Sequence, residues 1–168
     1  MNKSAGQLGA GTYACVLGAA TLAAAGLVGL LSHLPWLFPS LGPTVMLFFE
    51  SPQQKAASPG NTLAGHGVGL LAGAGCLYAL GLQDIPPAPT GGLTPGHVVA
   101  GIASVGLTSL ILALIKKPHP PAGATTLIVS LGILKTPAQL LTMAGAILLV
   151  TALGWTLNLI LGTRPSSS

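Results

Sequence analysis

Two copies of one short motif hold the residues of this sequence that could do chemistry. Both copies read Pro-x-x-Gly-x-Thr, and they begin 81 residues apart at Pro39 and Pro120. Proline lacks an N–H group and disfavours helix in the residue before it. Each motif therefore predicts an extended entry followed by a short helix. The start of a helix presents unpaired N–H groups and about half a positive charge, so it binds small anions without a cationic side chain.

The side chains around these two helix starts form a candidate anion site. Hydroxyl groups would donate hydrogen bonds, and glycines would let the backbone approach an ion closely. The candidate residues are Pro39, Ser40, Gly42 and Thr44 in the first copy and His119, Pro120, Pro121, Gly123, Thr125 and Thr126 in the second. The alternative interpretation is a tight turn that only allows a short helix to begin.

Three further assignments concern polar residues in apolar surroundings. His66 is a candidate proton-linked partner of an anion, since histidine changes charge near neutral pH; the alternative is a hydrogen bond to a neighbouring helix. His119 either attracts anions or caps a turn. Asn158 lies deep in the last apolar segment and must find a partner, which is either the substrate or the backbone of a broken segment.

The composition is that of an integral membrane protein. Of 168 residues, 51% are hydrophobic and 5% are charged, whereas soluble domains are about a quarter charged. The mean hydropathy is +0.78. The net charge of +4 comes from scattered Lys and Arg, which form no basic patch for nucleic acid. A lipid bilayer is the expected environment.

Other function classes lack the residues they need. The apolar segments contain no Asp or Glu, and intramembrane carboxylates are typical of cation pathways. No Ser-His-Asp order, paired carboxylates or metal-ligand spacing of Cys and His is present. We therefore expect no enzymatic activity, no metal and no cofactor.

The elements that must position the motifs are membrane helices. A spanning helix needs about 20 apolar residues. Four full helices are predicted over residues 12–33, 61–82, 95–115 and 137–161. Two broken segments, 36–49 and 118–134, carry the motifs, and we expect the second short helix to begin around residues 122–125.

The fold class predicted from these segments is an all-α membrane protein with two inverted repeats. Repeat one covers about 12–82, a linker covers 83–94, and repeat two covers 95–162, within a single domain of residues 1–168. Three crossings per repeat would invert the second repeat, as in many transporters. The two broken helices would then direct their N-termini at each other near the midplane of the bilayer.

The distribution of Lys and Arg favours broken segments that cross over ones that re-enter. Six crossings with a cytoplasmic N-terminus place five of the six cations inside and only Lys135 outside. A re-entrant arrangement gives four against two, and short loops rich in Lys and Arg stay inside. Because no Arg- and Ser-rich transit peptide is evident, the plasma (inner) membrane of a prokaryote is the expected location.

The motifs also resemble the HPP family of integral membrane proteins. The resemblance is carried by residues 119–124, the first motif at 39–44, Asn61, Gly65, His66 and Asn158. Some plant and cyanobacterial members are assigned nitrite transport. The resemblance thus implies transport of a small monovalent anion, with nitrite preferred. The alternative is a non-transporting structural or sensory membrane module. Thin helices with free apolar faces would also allow a homo-oligomer.

Overall fold

The computed structural model describes residues 3–164, and within them the chain is helical without a strand. Its α-helices are α1 (Lys3–Ser32), α2 (Leu41–Glu50), α3 (Pro59–Ala79), α4 (Ala88–Gly91), α5 (Pro95–Leu114), α6 (Ala122–Ser130) and α7 (Pro137–Ile160). Four of them, α1, α3, α5 and α7, are long and apolar enough to cross a membrane. The predicted all-α membrane fold, with four full helices and two shorter segments, is confirmed.

The starts of α5 and α7 follow directly from the sequence. Thr94 and Thr136 cap them, each accepting a hydrogen bond from the backbone N–H three residues later, at 3.3 Å. A proline occupies the first helical position in both cases. That position suits proline because its missing N–H group would have no partner there.

The boundaries of α1 and α3 differ from the prediction. Helix α1 begins at Lys3 rather than at residue 12, because the intervening residues include no proline that would stop it. Helix α3 begins at Pro59 rather than at residue 61, because Ser58 caps it by accepting the N–H of Asn61 at 3.3 Å. It ends at Ala79 rather than at residue 82, just before Gly81 turns left-handed with φ 64°.

The two broken segments have the predicted form. Residues 33–40 and 115–121 contain no helix, and each leads through prolines into a short helix. Helix α6 begins at Ala122, inside the predicted range 122–125. Helix α2 begins at Leu41, directly after Ser40.

Two hydrogen bonds define one end of the helix bundle, here called the first end. The indole Nε1 of Trp155 donates to the carbonyl of Ala57 at 2.9 Å, which joins the end of α7 to the loop before α3. The amide of Asn61 donates to the carbonyl of Pro118 at 3.2 Å, which brings the entry to α6 to the same place. The first end therefore holds the start of α3, the entry to α6 and the end of α7.

The opposite, second end holds the linker between the predicted repeats. The hydroxyl of Tyr78, at the end of α3, donates to the carbonyl of Lys135 at 2.6 Å. The ammonium group of Lys135 in turn donates to the carbonyl of Ile85 at 3.1 Å. Helix α6 thus runs from the first end to the second, and α2 runs the other way into the loop before α3. Each broken segment therefore joins the two ends of the bundle, whereas crossing of a bilayer by these segments stays a prediction.

Helix α3 is the element against which the other helices are arranged. It packs closely on α5 and α6, while α1, α2 and α7 form a second group that touches α3 mainly through α7. A Cβ atom on Gly69 or Gly73 would lie 2.8 Å from a backbone oxygen of α6. Small residues let helices approach this closely, and the approach brings the start of α6 against the middle of α3, around Gly69 and Gly73.

Candidate functional site

His66 lies between the two motif threonines. Its side chain is fully buried in the second turn of α3. The ring atom Nε2 is 2.9 Å from Oγ1 of Thr44, and Nδ1 is 2.7 Å from Oγ1 of Thr125. Thr44 and Thr125 are the last residues of the two Pro-x-x-Gly-x-Thr motifs. Three predicted site residues, from three different helices, therefore meet at one imidazole.

His119 is the fourth member of this cluster. Its Nε2 atom is 3.1 Å from Nε2 of His66, and its Nδ1 atom is 2.8 Å from the carbonyl oxygen of Ala56. The two rings meet edge to face, with their centroids 4.7 Å apart. Only 2% of the His119 surface is exposed. This residue therefore belongs to a buried histidine pair and not to an exposed entrance of the site.

Gly65 makes the pairing of the two histidines possible. A Cβ atom on Gly65 would lie 2.6 Å from Cβ of His119 and 2.9 Å from two atoms of its ring. Real carbon atoms do not approach each other that closely, so only glycine lets the imidazole lie flat on α3. The sequence showed Gly65 as one of several helical glycines, without indicating this contact.

The backbone amides at the start of α6 are already used within the chain. The first three donate to carbonyls three residues earlier, Ala122 to His119, Gly123 to Pro120 and Ala124 to Pro121, at 3.0, 3.0 and 3.2 Å. Because Thr44 and Thr125 bond to the same ring while α2 and α6 run in opposite directions, their first turns lie side by side. The groups that meet at the histidine cluster are side chains; of the amides that the sequence also predicted at both helix starts, those of α6 are bonded within the chain.

Ser40 adds a polar group without a partner at the start of α2. Its Oγ atom is buried and has no hydrogen-bond partner among residues 3–164. Its carbonyl accepts the hydroxyl of Thr44 at 2.9 Å. The preceding Pro39 is exposed. A buried hydroxyl without a partner is costly in an apolar environment, so Ser40 is available to a ligand at the start of α2.

Two other predicted residues lie outside the histidine cluster. Thr126 faces α5: its Oγ1 atom is 2.9 Å from Oγ1 of Thr108 and also donates to the carbonyl of Ala122. Asn158 donates to the carbonyl of Phe48 at 2.8 Å and accepts the hydroxyl of Tyr13 at 2.7 Å. Of the two partners considered for Asn158, the structure shows the backbone of a broken helix.

The two motif glycines border cavities beside the cluster. A Cβ on Gly42 or on Gly123 would meet no atom within 4 Å. Gly123 borders a cavity of about 580 Å³ that is also lined by Lys116, Pro118 and His119. Gly42 borders a cavity of about 570 Å³ between α1 and α2. A third cavity, of about 420 Å³, lies between the last turns of α2 and the segment with Pro120 and Pro121.

The cavity beside Gly123 gives the cluster a cationic approach from the first end. It combines the Lys116 side chain with one face of the buried His119. The chain has only two carboxylates, Glu50 and Asp84, and neither makes a hydrogen bond to the cluster. Among the described residues no three His, Cys, Asp or Glu side chains are grouped to hold a metal.

Asn61 and Ala56 help to position the cluster, although neither was predicted to be a site residue from the sequence. The amide of Asn61 holds the carbonyl of Pro118, and its Oδ1 atom is buried without a partner among residues 3–164. The N-cap of α3 is Ser58, which accepts the backbone N–H of Asn61. The Ser58–Pro59 pair, a capping residue before a proline, was the available signal.

Comparison with known families gives one match. A family model described as HPP, transmembrane region, matches residues 3–165. No curated protein and no solved structure matches the chain.

Proposed function

We propose that this chain, which belongs to the HPP transmembrane family, transports a small monovalent anion across the membrane. The observation that carries the proposal is the position of His66 between Thr44 and Thr125. Two copies of one motif, distant in sequence, place equivalent hydroxyls on a single imidazole in the interior of the bundle. Binding sites of transporters with repeats lie at such junctions of broken helices.

The internal duplication is supported by helix contacts that repeat the motif spacing. A Cβ on Gly73 would lie 2.9 Å from Cβ of Val129, and a Cβ on Gly154 would lie 2.7 Å from Cδ2 of Phe48. Gly154 follows Gly73, and Val129 follows Phe48, by the same 81 residues that separate the motifs. The opposite directions of α2 and α6 are those of an inverted repeat.

The chemistry of the cluster suits an anion better than a cation. Hydroxyl and imidazole N–H groups can donate to an ion, and the partnerless hydroxyl of Ser40 adds one donor at the start of α2. No carboxylate is present in the cluster to bind a cation. An anion in an apolar medium loses tens of kcal/mol of solvation without such partners. We propose nitrite as the substrate because the HPP resemblance implies it, and a compact anion fits a site made of short side chains.

The proposed route begins at the first end of the bundle. Lys116 lines the cavity beside Gly123, and His119 forms part of its inner wall. A cationic side chain at the entrance concentrates anions near the cluster. The proposed binding site is therefore at the first turns of α2 and α6, between this cavity and the hydroxyl of Ser40.

A second candidate function is a non-transporting structural or sensory module of the membrane. The specific observation in its favour is that His66 and His119 are buried and hydrogen-bonded on both ring nitrogens. Such a pair would also stabilise a static bundle. We propose no enzymatic activity for the chain, in keeping with the absence of a catalytic arrangement in the sequence.

Uptake of nitrite into proteoliposomes tests the proposal. We expect uptake above that of protein-free liposomes, and we expect Gly123→Val to reduce its initial rate by about tenfold or more, equivalent to ~1.4 kcal/mol. A Cβ atom at this position would border the cavity beside Lys116 and meet no atom within 4 Å, so the larger valine side chain is expected to occupy part of that cavity. Wild-type protein that gives no uptake contradicts the proposed function.

Gly106→Val is the matched control for this experiment. Gly106 is also a helical glycine, in α5, and a Cβ there would likewise meet no atom within 4 Å. It does not border the cavity beside Gly123. We expect this variant to retain most of the uptake; an equal loss in both variants would assign the effect to helix distortion rather than to the cavity.

A further inference from the structure

The hydrogen bonds of the histidine cluster fix which ring nitrogens carry hydrogen when both rings are uncharged. The carbonyl of Ala56 can only accept, so Nδ1 of His119 must donate to it. Nε2 of the neutral His119 ring is then without hydrogen. Because Nε2 of His66 lies 3.1 Å from it, the hydrogen of that contact must belong to His66. Two bare nitrogens at this distance would repel each other.

The two threonines agree with this assignment. The single hydroxyl hydrogen of Thr44 is donated to the carbonyl of Ser40, so Oγ1 of Thr44 also accepts from Nε2 of His66. Nδ1 of His66 is left bare and accepts the hydroxyl of Thr125 at 2.7 Å. The cluster is then neutral, and the single Nε2 hydrogen of His66 is shared between Oγ1 of Thr44 and Nε2 of His119.

The cluster can accept one added proton while all these contacts are retained. A proton on Nδ1 of His66 makes that atom a donor to Oγ1 of Thr125, and the hydroxyl hydrogen of Thr125 is released to point elsewhere. The positive charge can move to His119 if the hydrogen between the two Nε2 atoms is transferred. A second proton would place hydrogens on both Nε2 atoms, which are 3.1 Å apart, and would break the pair.

Among the described residues no carboxylate makes a hydrogen bond to the histidine pair, although Glu50 lines the cavity that borders Pro120 and Pro121. The remaining ionisable side chains on the surrounding elements lie at the ends of those elements or in loops: Glu50 on α2, Lys55 beside Ala56, His97 on α5, Cys76 and Tyr78 on α3, and Lys116 and Lys117 before His119. Helices α6 and α7 contain none. A buried charge needs a partner, and the nearby lysines are of the same sign. The missing partner is a monovalent anion, which would also accept the released hydroxyl of Thr125.

We infer that the His66–His119 pair binds one proton together with each anion, so that transport is an electroneutral symport. The inference rests on the proposed function. The proton adds to Nδ1 of His66 when the anion arrives and leaves with it on the other side, so no charge accumulates and no bond in the substrate changes. Thr125 links the two events because its hydroxyl changes partner from His66 to the anion.

The first test needs no transport. Nitrogen NMR of ¹⁵N-histidine protein in nanodiscs, at alkaline pH, should show hydrogen on Nδ1 of His119 and on Nε2 of His66. His66→Gln and His119→Gln variants assign the signals among the four histidines of the chain. The opposite tautomer on either ring would overturn the inference, whatever the protein transports.

The second test measures protons and nitrite in the same proteoliposomes. After subtraction of the protein-free background, which includes diffusion of nitrous acid, we expect one proton per nitrite in the initial rates and no effect of a potassium diffusion potential. With His119→Gln we expect the pH dependence of uptake to be lost, whereas Gly106→Val should keep it.

The outcomes separate the two proposals. Nitrite uptake that is driven by the membrane potential and carries no proton overturns the symport while leaving anion transport intact. Absence of any uptake overturns both. An unchanged pH profile in His119→Gln would also overturn the inference, since the pair would then have no part in proton binding.

Discussion

At the scale of single residues, Gly65 decides how the two imidazoles can be arranged. His119 lies flat against α3 at the one position where that helix has no side chain. The ring is also fixed on both nitrogens, by Ala56 and by His66. It cannot move aside for an added methyl group without breaking a buried hydrogen bond.

We therefore expect Gly65→Ala to destabilise the protein although alanine favours helix. The new methyl group would lie 2.6 Å from His119, and overpacking of this kind costs about 1–3 kcal/mol. Gly75→Ala is the control: it lies on the same helix with no atom within 4 Å and should gain up to about 1 kcal/mol of helix propensity. Thermal unfolding in detergent measures both. An equal or higher Tm for Gly65→Ala would contradict the contact.

The sequence identified the members of the cluster but could not show how they pair. His66, His119, Thr44 and Thr125 stood out because polar residues are rare in this chain. Their contacts join residues that are 22 to 59 positions apart, and such contacts depend on how closely helices approach. The buried position of His119 was missed because it depends on a single missing side chain, that of Gly65.

At the scale of the elements, a short helix must be fixed at its ends because it cannot span the bilayer alone. The last turn of α2 is fixed by Asn158, which binds the carbonyl of Phe48 and the hydroxyl of Tyr13. This ties α2 to α7 and α1 at the first end of the bundle. Asn158 therefore has a structural role in the geometry of the site without contacting the histidines.

We expect Asn158→Leu to lower the free energy of unfolding by about 1–3 kcal/mol. The carbonyl of Phe48 and the hydroxyl of Tyr13 would each lose a hydrogen-bond partner. Tyr13→Phe removes only the hydroxyl and should cost less. Thermal unfolding of the two variants compares the effects. If Asn158→Leu instead changed the nitrite concentration for half-maximal uptake and left Tm unchanged, Asn158 would be a substrate ligand after all.

The sequence predicted the starts of α5 and α7 correctly and the ends of α1, α5 and α7 to within one residue. The Thr-Pro pairs before α5 and α7 and the proline run before Ala122 fix the start of a helix locally. A local signal also exists for the end of α3, because Gly81 adopts the left-handed conformation directly after the C-cap Leu80. The prediction that α3 continues to residue 82 overlooked this glycine.

At the scale of the whole molecule, the cations are divided between the two ends of the bundle. Lys55, Lys116 and Lys117 belong to the loop before α3 and the entry to α6, both at the first end. Lys135 lies at the second end, bonded to the carbonyl of Ile85. This division is the one that six crossings require, and from the positive-inside rule we predict that the first end is cytoplasmic.

Cysteine labelling in whole cells tests this topology. In a background with Cys15→Ala and Cys76→Ala, we expect Lys135→Cys to react with an impermeant maleimide from outside and Lys116→Cys to react only after the membrane is opened. Gln54→Cys, at the first end, should behave like Lys116→Cys. Reaction of Lys116→Cys and Lys135→Cys from the same side would contradict a crossing α6.

The separation along the sequence between the cluster partners has a consequence for biosynthesis. His66 is made more than fifty residues before His119 and Thr125, and α2 is too short to hold itself across a bilayer. While the ribosome is still producing the second half, His66 lacks the contacts of its ring nitrogens to Thr125 and His119. We therefore expect the bundle to complete its assembly only after residues 119–130 have been inserted.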